Sequence, residues 1–539
     1  MDFGLTPEGD VRLLDVADGA VLVEYPEDSE QEANRRAVVA ARELANRRPP
    51  GFLDAVPGAR TLLVEFDPRH FSRDRLAEAL RRGAHSGEGL DSSRRLLEVP
   101  VLYGLDREAG PDLEELARGA GLLPEEFARR HANADYRVAF LGFAPGFAYL
   151  AGLPEELRSP RLPTPRTRVP AGSVGIGGPY TGIYPGETPG GWKLIGRAPV
   201  RLFDPGKDPP ALLLPGDRVS FREIGKEDFE RRRALLEPAG VGPSPQGPDR
   251  ALFRVAGPGV FTSVQGAPRH GRAIYGVPPG GAMDGEALRS GNALLGNSSF
   301  APGLEMTLVG PELETLSEAI VALSGAGLEA RLNEKPVESG TVWQLRAGDR
   351  LRLGPVRGTA RAYLCVAGGL AQGTRLEPPR RLVSGDMVFS SVRPHARQDM
   401  PRQGSRASEA GAEIRIRVLP GPQQDRFEPG ALETFLGGRY RVSAASDRRG
   451  IRLEGPLLAS RGSADIPPEG TPLGAIQVPL DGRPIILGPD RPVTGGYAKI
   501  ATVVSADFPL LGRALPGTAL RFAQVTLAEA LTARASSRE

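Results

Sequence analysis

The sequence predicts a mainly β protein that opens with an α/β domain. Gly (69) and Pro (52) together make up more than a fifth of the 539 residues, and they are spread among short apolar runs. Turn residues at that density are typical of barrels and sandwiches built from many short strands. The start of the chain differs, because 11–25 and 61–66 have strand character whereas 29–48 and 72–82 have helical spacing of apolar residues.

A Gly/Pro-rich segment divides the chain in two, and its composition is typical of a linker. Helices are predicted before it, at 112–119, 124–131 and 226–237, and β structure is predicted throughout the part that follows. The polar stretch 393–410 separates two subdomains of that second half. The predicted units are an α/β domain over 1–95, a β-rich domain over 96–225, the linker over 237–250, a first β-barrel over 251–400 and a second over 411–525.

Composition excludes several classes of protein. The charge is nearly balanced, with 68 Lys plus Arg against 66 Asp plus Glu, so we expect no nucleic-acid partner. One Cys excludes a disulfide framework, and the five His show no ligand spacing, so no metal site is predicted. The first ten residues lack the features of a signal peptide, and no apolar run approaches the roughly 20 residues that span a bilayer. We therefore expect a cytoplasmic protein without membrane contact.

Common catalytic motifs are also missing from the sequence. It contains no Walker-type phosphate loop and no G-x-S-x-G nucleophile elbow. No lysine lies between methionines as a biotin attachment site requires, so no biotin site is expected on this chain. His131 shares the apolar face of its predicted helix and is expected to be a core histidine, and Cys365 is expected to be inert packing.

A weak internal sequence repeat relates one segment of the first half to one segment of the second half. Residues 171–196 and 473–502 each run from a small-residue strand through a Thr-Gly turn to Gly-Gly, an aromatic residue and Lys. The repeat places Lys193 and Lys499 at matching positions, in a chain with only five lysines among its many arginines. Because a lysine is a compact cation, we predict that these two are site cations, with chance as the competing explanation.

Two segments concentrate residues suited to a binding site. The first, 136–192, is rich in aromatic residues and glycines, which let a backbone approach a ligand closely. The second, 446–499, carries polar residues, Asp447 and Asp490 among them, between Gly and Pro. The alternatives are a barrel core for the first segment and ordinary surface turns for the second. The residues predicted for catalysis are Lys193, Lys499 and Arg448, and those predicted here for substrate binding are Arg166, Arg168, Gly172, Ser173, Thr181, Tyr184, Trp192, Gln477 and Tyr497.

The same segments carry a family resemblance. FLGFAPGFAYLAGLPEELRSPRLPTPRTRVPAGSVGIGG and TGIYPGETPGGWKLIGRAPVRLFDP resemble the family of KipI and the 5-oxoprolinase B subunits, also called allophanate hydrolase subunit 1. After the linker, GVPPGGAMDGEALRSGNALLGN, SDRRGIRLEGP and DRPVTGGYAKIATVVSAD resemble the family of KipA and the 5-oxoprolinase C subunits. The resemblance implies cyclophilin-like β-barrel domains in both halves, and it adds Gln265 and Asp284 to the candidate substrate-binding residues.

The resemblance implies three roles. The leading one is a fused B–C component of an ATP-dependent 5-oxoprolinase, which opens 5-oxoproline to L-glutamate together with a separate A subunit, using ATP with Mg²⁺. The alternatives are a regulator that binds a sporulation-type histidine kinase and a carboxyltransferase-like unit of a biotin-dependent urea carboxylase. Allophanate hydrolysis by this chain alone is not expected, because no amidase motif is present. A homo-oligomer is an open alternative.

Two departures from the pattern of the C subunits stand out. Gly266 occupies the position at which relatives carry Asp, and the segment 370–385 is altered and shortened. If these elements line the pocket of the C-like half, the departures change the choice of substrate or remove the activity.

Overall fold

The computed structural model shows a chain of four packed units. The segments predicted as the linker and as the subdomain separator lie outside the described residues, apart from residue 250. The described residues are 11–27, 29–84, 95–104, 109–236, 250–325, 327–372, 380–390, 413–462 and 465–536.

The N-terminal unit is a four-stranded antiparallel sheet of order β1-β2-β4-β3 with two helices. One face packs on α1 through Val21, Val23, Leu62 and Val64. The other face is also buried, because Leu63 contributes to a cluster that contains residues of the second half. The elements are β1 (Arg12–Ala17), β2 (Ala20–Glu24), α1 (Glu30–Arg47), β3 (Phe52–Pro57), β4 (Thr61–Phe66) and α2 (Arg73–Ala84).

The second unit, barrel 1, is a closed seven-stranded barrel of order β10-β7-β6-β13-β5-β12-β9. A two-stranded sheet of β8 and β11 lies beside it. The helices α3, α4 and α5 confirm the three helices predicted for this region. The elements are β5 (Leu96–Tyr103), α3 (Leu113–Gly119), α4 (Pro124–Asn133), β6 (Tyr136–Leu141), β7 (Ala148–Ala151), β8 (Arg166–Val169), β9 (Ser173–Gly177), β10 (Tyr180–Ile183), β11 (Thr188–Gly190), β12 (Lys193–Arg197), β13 (Arg218–Glu223) and α5 (Lys226–Leu235).

The third unit is a sandwich, which corrects the β-barrel predicted for 251–400. Its strands form an open six-stranded sheet, β20-β19-β22-β17-β14-β24, and an open five-stranded sheet, β15-β16-β23-β18-β21. Short apolar strands fit either architecture, and here both sheets contribute to one core between them. The elements are β14 (Arg250–Gly257), β15 (Phe261–Gln265), α6 (Gly285–Leu294), β16 (Gly303–Thr307), β17 (Glu312–Thr315), β18 (Ala319–Gly325), β19 (Leu328–Leu332), β20 (Lys335–Val337), β21 (Val342–Leu345), β22 (Arg350–Val356), β23 (Arg361–Val366) and β24 (Met387–Ser390).

The fourth unit, barrel 2, is a second closed seven-stranded barrel, of order β25-β32-β29-β30-β27-β26-β33, with a two-stranded sheet of β28 and β31. Two barrels and the N-terminal sheet confirm the predicted fold class. The elements are β25 (Glu413–Pro420), α7 (Ala431–Gly437), β26 (Tyr440–Val442), β27 (Gly450–Glu454), β28 (Asp465–Gly470), β29 (Ala475–Gln477), β30 (Ile485–Leu487), β31 (Thr494–Tyr497), β32 (Lys499–Val503), α8 (Phe508–Arg513), β33 (Ala519–Gln524) and α9 (Leu527–Ser536).

The two barrels have the same topology, strand for strand. In each, the first strand pairs in parallel with the last, β5 with β13 and β25 with β33. The following pairs also correspond, β12 with β9 in barrel 1 and β32 with β29 in barrel 2. Lys193 and Lys499 are the first residues of the equivalent strands β12 and β32. The repeat predicted from the sequence is therefore structural.

No helix among the described residues is long and apolar enough to cross a membrane.

Candidate functional site

The two barrels touch where strand β31 lies against barrel 1. A Cβ atom at Gly142, just beyond β6, would fall 1.6 Å from Thr494 Oγ1, so only glycine allows this approach. The Thr494 hydroxyl lies beside Tyr149 of barrel 1 and lowers the pKa of that phenol, against a larger upward shift caused by burial. The two segments predicted to carry binding residues, 136–192 and 446–499, thus meet at an inter-barrel seam.

An aromatic cluster lies on the barrel 1 side of this seam. The ring of Phe147 lies 5.2 Å from those of Tyr149, Tyr184 and Trp192, in edge-to-face arrangements. Trp192 is 5% exposed and Tyr184 is 1% exposed. Both predicted binding residues are therefore mainly part of a buried aromatic wall, in a cluster separate from the one that fills barrel 1.

Arg161, which was not predicted from the sequence, lies in the seam. Its guanidinium lowers the pKa of Tyr149 and Tyr184 in barrel 1 and of Tyr497 in barrel 2, while burial raises all three. A Cβ on Gly496 would lie 3.4 Å from Arg161 Nη2, so the backbone of β31 is close to the cation. Arg161 is partly buried and makes no hydrogen bond or ion pair with any residue that the structure describes. This leaves its fork of donors available for an anion.

The three cations that were predicted for barrel 1 each pair with a carboxylate. Arg166 donates to Asp112 Oδ1 (2.6 Å) and to the carbonyl of Trp192 (3.3 Å). Arg168 pairs with Glu187 (2.7 Å) and its side chain is 74% exposed. Lys193 Nζ donates to Glu115 Oε1 (2.8 Å), and this contact holds the pKa of Glu115 below its usual value. Arg166 and Lys193 therefore lie near the aromatic cluster, and Arg168 lies on the surface.

Lys499 forms a buried ion pair in barrel 2. Its Nζ lies 2.5 Å from Glu469 Oε1, without the alignment of a good hydrogen bond, and the two side chains are 2% and 7% exposed. Gln423 connects the pair, because its Nε2 donates to Glu469 Oε1 (2.8 Å) and its Oε1 accepts from the Lys499 backbone N–H (3.2 Å). Gln477 is the cross-strand neighbour of Lys499. Lys499 is therefore a buried, compensated charge and not a free cation.

A cavity of about 730 Å³ lies beside this ion pair, between the N-terminal sheet and barrel 2. Gln423 and Glu469 line it, together with Tyr25 and Thr61 of the N-terminal unit. The hydroxyls of Tyr25 and Thr61 are buried and have no hydrogen-bond partner among the described protein groups. Burial raises the pKa of Glu24 on the same wall, and the nearby carboxylates of Glu469 and Asp425 raise it further, against the opposing effect of Arg12. The cavity therefore has acidic groups on both sides.

Arg448, predicted to be catalytic, is buried in a charge network between the sandwich and barrel 2. It donates to Asp490 (2.8 and 3.0 Å), to Glu305 (2.5 Å) and to the carbonyl of Gly281 (2.8 Å). The neighbouring carboxylates raise its pKa against the effect of burial. Its donors are occupied by the protein, so this arginine joins two domains. Asp447 instead closes a local turn by accepting from the N–H groups of Arg449 and Gly450.

The remaining candidates of the second half also have structural partners. Asp284 caps α6 through the Ala287 N–H (3.1 Å) and accepts from Arg513 Nε (2.7 Å). Gln265 is buried and donates to Ser263 Oγ (2.9 Å). A Cβ at Gly266 would lie 3.1 Å from Gln372 Nε2, so the two departures from the pattern of the C subunits adjoin each other.

Three predicted substrate-binding residues are structural parts of barrel 1. Gly172 has φ +79°, and a Cβ there would meet the carbonyl of Ala198 at 2.5 Å. Ser173 is buried at the start of β9. Thr181 is inside the barrel, where its hydroxyl donates to the Gly175 carbonyl (3.0 Å) and contacts His131 Nε2 (2.9 Å).

His131 is the core histidine that the sequence predicted. It is fully buried, its Nδ1 contacts the Tyr103 hydroxyl (2.8 Å), and burial lowers its pKa to about 3. Cys365 is likewise buried, and burial raises the pKa of its thiol to about 12.

Four residues at these sites were not predicted from the sequence: Arg161, Tyr149, Glu469 and Gln423. Arg161 stands among several arginines and prolines, and nothing in its neighbourhood distinguishes it from the arginines that pair with acids. Glu469 and Gln423 lie 30 and more residues from Lys499 in the chain, and only the barrel brings them to it. Of the predicted residues, the structure gathers Arg166, Tyr184, Trp192, Lys193 and Tyr497 around the seam and leaves Arg448, Gln265 and Asp284 elsewhere.

Family models match both halves of the chain. Residues 11–213 match the carboxyltransferase domain, subdomain C and D, and residues 275–524 match the carboxyltransferase domain, subdomain A and B. The crystal structure of TTHA0988 superposes with a TM-score of 0.81 at 36% identity, covering 94% of this chain and 99% of that one.

Curated relatives match the two halves separately. The 5-oxoprolinase B subunit of Bacillus subtilis (strain 168) is 39% identical over 229 residues, which are 40% of this chain and 95% of the relative. The 5-oxoprolinase C subunit of Escherichia coli (strain K12) is 35% identical over 296 residues, 52% of this chain and 94% of the relative. Urea amidolyase of Lachancea kluyveri is 31% identical over 51% of this chain, but the match spans 17% of that larger protein. The chain therefore belongs to the family of 5-oxoprolinase B and C subunits, as a member in which a B-like half and a C-like half are joined in one polypeptide.

Proposed function

We propose that the protein is the fused B–C component of an ATP-dependent 5-oxoprolinase and opens 5-oxoproline to L-glutamate together with a separate A subunit. Relatives named as 5-oxoprolinase B and C subunits are matched along almost their whole lengths. The observation that carries the proposal is Arg161, a cation without an acidic partner among the described residues, at the seam between the B-like and C-like barrels.

The chemistry of 5-oxoproline suits this seam. The substrate has one carboxylate and one lactam, and a guanidinium binds a carboxylate through two parallel hydrogen bonds. In the proposed complex Arg161 holds the carboxylate, and the phenols of Tyr184 and Tyr497 flank it from the two barrels. Burial raises the pKa of both phenols, so both stay protonated and can donate at neutral pH. The role of this chain is then to fix the substrate between its halves.

Opening a lactam with ATP requires a phosphate site, and the cavity beside Lys499 does not fit one. The protein already engages the cavity's four arginines. Arg12 pairs with Glu24 (3.1 Å) and Arg73 with Asp15 (2.8 Å). Arg426 lies 3.9 Å from Asp425, and Arg60 donates to the carbonyl of Glu27. Glu469 and Asp425 on the opposite wall add negative charge. A triphosphate would meet carboxylates there, at a cost in electrostatic energy. We therefore assign no ATP-dependent step to this chain and expect ATP with Mg²⁺ to bind on the A subunit or where that partner meets this chain.

The test is ATP-dependent glutamate release by the purified chain with and without a homologue of the 5-oxoprolinase A subunit. We expect release only with both proteins present. Arg161→Ala should raise KM for 5-oxoproline at least tenfold, whereas the control Arg168→Ala, an exposed arginine paired with Glu187, should behave as wild type. Release by the chain alone, or an unchanged KM in Arg161→Ala, contradicts the proposal.

A second function is favoured by the carboxyltransferase models and by the urea amidolyase relatives. In that case the chain would transfer a carboxyl group from a carboxybiotin carried by another protein. Urea-dependent consumption of a carboxylated biotin carrier, without glutamate release from 5-oxoproline, would select this function over the first. Regulation of a histidine kinase stays a prediction.

A further inference from the structure

Three side chains from distant parts of the chain meet at the seam between the N-terminal sheet and the second half. Asp54 on β3 and Glu65 on β4 are cross-strand partners, and both side chains are buried on the sheet face that meets the second half. His270 approaches from the loop that follows β15. One ligand atom from each of the three residues lies within 4.8 Å of the other two.

The two carboxylates are incompletely compensated. Arg491 Nη2 donates to Glu65 Oε1 (2.7 Å), and the N–H groups of Gly271 and Ala273 donate to Asp54 (2.7 and 3.2 Å). One guanidinium thus faces two carboxylates, and like charges directly opposite on neighbouring strands destabilise a sheet. The cluster therefore favours one more positive charge.

His270 is suited to be a ligand. Neither ring nitrogen makes a hydrogen bond to another residue that the structure describes, and Nδ1 lies 4.0 Å from Asp54 Oδ2. A neutral imidazole has a nitrogen lone pair that can bind a metal. Two ligands bound to one Zn²⁺ at ~2.1 Å each lie at most ~4.2 Å apart, so small side-chain movements close the site.

We propose that Asp54, Glu65 and His270 bind one divalent transition-metal ion, with Zn²⁺ as the best match to two carboxylates and an imidazole. Arg491 stays on Glu65 Oε1 and leaves Oε2 for the metal, while the two backbone N–H groups orient Asp54 from outside the coordination shell. Asp54 and Glu65 belong to the B-like half, and His270 and Arg491 belong to the C-like half. The ion would therefore fasten the two halves together.

The spacing of the histidines gave no indication of this site, because His270 is separated from the two carboxylates by more than 200 residues and by the linker. The proposal does not depend on the substrate, and its readout is metal content, so it stands or fails separately from the proposed function.

The test is a titration of the chelator-treated full chain with Zn²⁺ by calorimetry and with Co²⁺ by visible absorption. We expect one equivalent of Zn²⁺ to bind and Co²⁺ to give d–d bands that report bound nitrogen and oxygen ligands. His270→Ala should weaken binding at least tenfold, and the control His70→Ala, an exposed histidine outside the cluster, should not.

Asp54→Asn, which keeps the shape of the side chain, provides a second variant and should also weaken Zn²⁺ binding at least tenfold. Zn²⁺ should raise the melting temperature of the wild type and not that of His270→Ala, because an ion that binds only the folded state stabilises it. Absence of a stoichiometric Zn²⁺ site in the wild type, or equal affinity in wild type and His270→Ala, would overturn the proposal.

Discussion

The two barrels share a topology and a lysine at the start of equivalent strands, yet the two lysines differ in solvent exposure. In barrel 1 the side chain of Lys193 is 15% exposed and its partner Glu115, on α3, is 64% exposed. In barrel 2 the Lys499 side chain is 2% exposed and its partner Glu469, on β28, is 7% exposed. The shared barrel topology sets the position of each lysine on its strand. The neighbouring elements decide whether its ammonium group is solvated or buried.

The N-terminal sheet causes the difference. Its β3–β4 turn packs on β28, where the Ala59 N–H donates to the Pro468 carbonyl (2.7 Å) and a Cβ at Gly58 would lie 2.7 Å from Glu469 Cα. This contact covers the end of barrel 2 that holds the Lys499–Glu469 pair. The N-terminal unit also contacts barrel 1, through Asn34 on Ala139 and Glu30 on Tyr180, but these contacts are on β6 and β10 and not beside Lys193. A repeated domain thus acquires a different electrostatic environment because the third domain packs against different parts of the two copies.

The largest expected effect is on barrel 2. Lys499→Met removes the ammonium and leaves the buried Glu469 carboxylate unpaired, so we expect a loss of about 3–5 kcal/mol in the free energy of unfolding. Urea denaturation followed by circular dichroism measures it. Lys499→Met combined with Glu469→Gln should recover part of the loss, because no buried charge then remains. A loss below about 1 kcal/mol in the single variant would mean that the two pairs are equivalent after all.

The contact between the barrels is the next target. Gly142→Ala places a methyl group against the Thr494 side chain and should cost about 1–3 kcal/mol through overpacking. Gly119→Ala is a matched control, because a Cβ there meets nothing within 4 Å. The change should separate β31 from barrel 1 and lower affinity for 5-oxoproline, measured by calorimetry with the partner A subunit present. Unchanged stability and affinity would show that the barrels do not meet tightly at this point.

Acid should distinguish the barrels as well. Burial lowers the pKa of His131 in barrel 1 to about 3, whereas residues 413–524 contain no histidine. The unfolded chain binds a proton below about pH 6.5 that the folded state does not, so stability falls as pH drops from about 6.5 toward 3. The slope from this residue is about 1.4 kcal/mol per pH unit. Urea midpoints measured between about pH 7 and 5 should show a shallower fall in His131→Gln than in wild type, and equal slopes would contradict this.

The smallest effect is expected at the exposed pair of barrel 1. Lys193→Met should cost less than about 1 kcal/mol, since solvent screens its attraction to Glu115. Lys193 holds the pKa of Glu115 in the folded state below its usual value. The ion pair therefore stabilises the fold fully at pH values above the pKa that Glu115 has in the unfolded state, and this stabilisation is lost as pH falls through the lower pKa of the folded state. The difference in unfolding free energy between wild type and Lys193→Met should therefore vanish in acid and shrink in high salt. A loss as large as that of Lys499→Met would contradict the comparison.

The sequence alone determined the local elements and the repeat. Apolar spacing predicted α1 and α2, Pro near the first turn supported the prediction of α3 and α4, and a charged run predicted α5. The density of Gly and Pro predicted short strands, and the Gly-Gly-aromatic-Lys pattern located Lys193 and Lys499 on equivalent strands. These features depend on neighbours within a few turns of the chain, which is why patterns reveal them. His131 could be assigned to the core for the same reason, because its helix face was visible in the sequence.

Only the tertiary structure decided how those elements were used. Strand patterns do not show whether a sheet closes, so the third unit was predicted as a barrel and is a sandwich. Residue identity does not show which charges are compensated: Arg448 and Lys499 have buried partners, whereas Arg161 has no acidic partner among the described residues. Asp54, Glu65 and His270 meet only because the N-terminal sheet packs on the second half. Burial and pairing are set by contacts between residues far apart in the chain, and a single sequence does not record them.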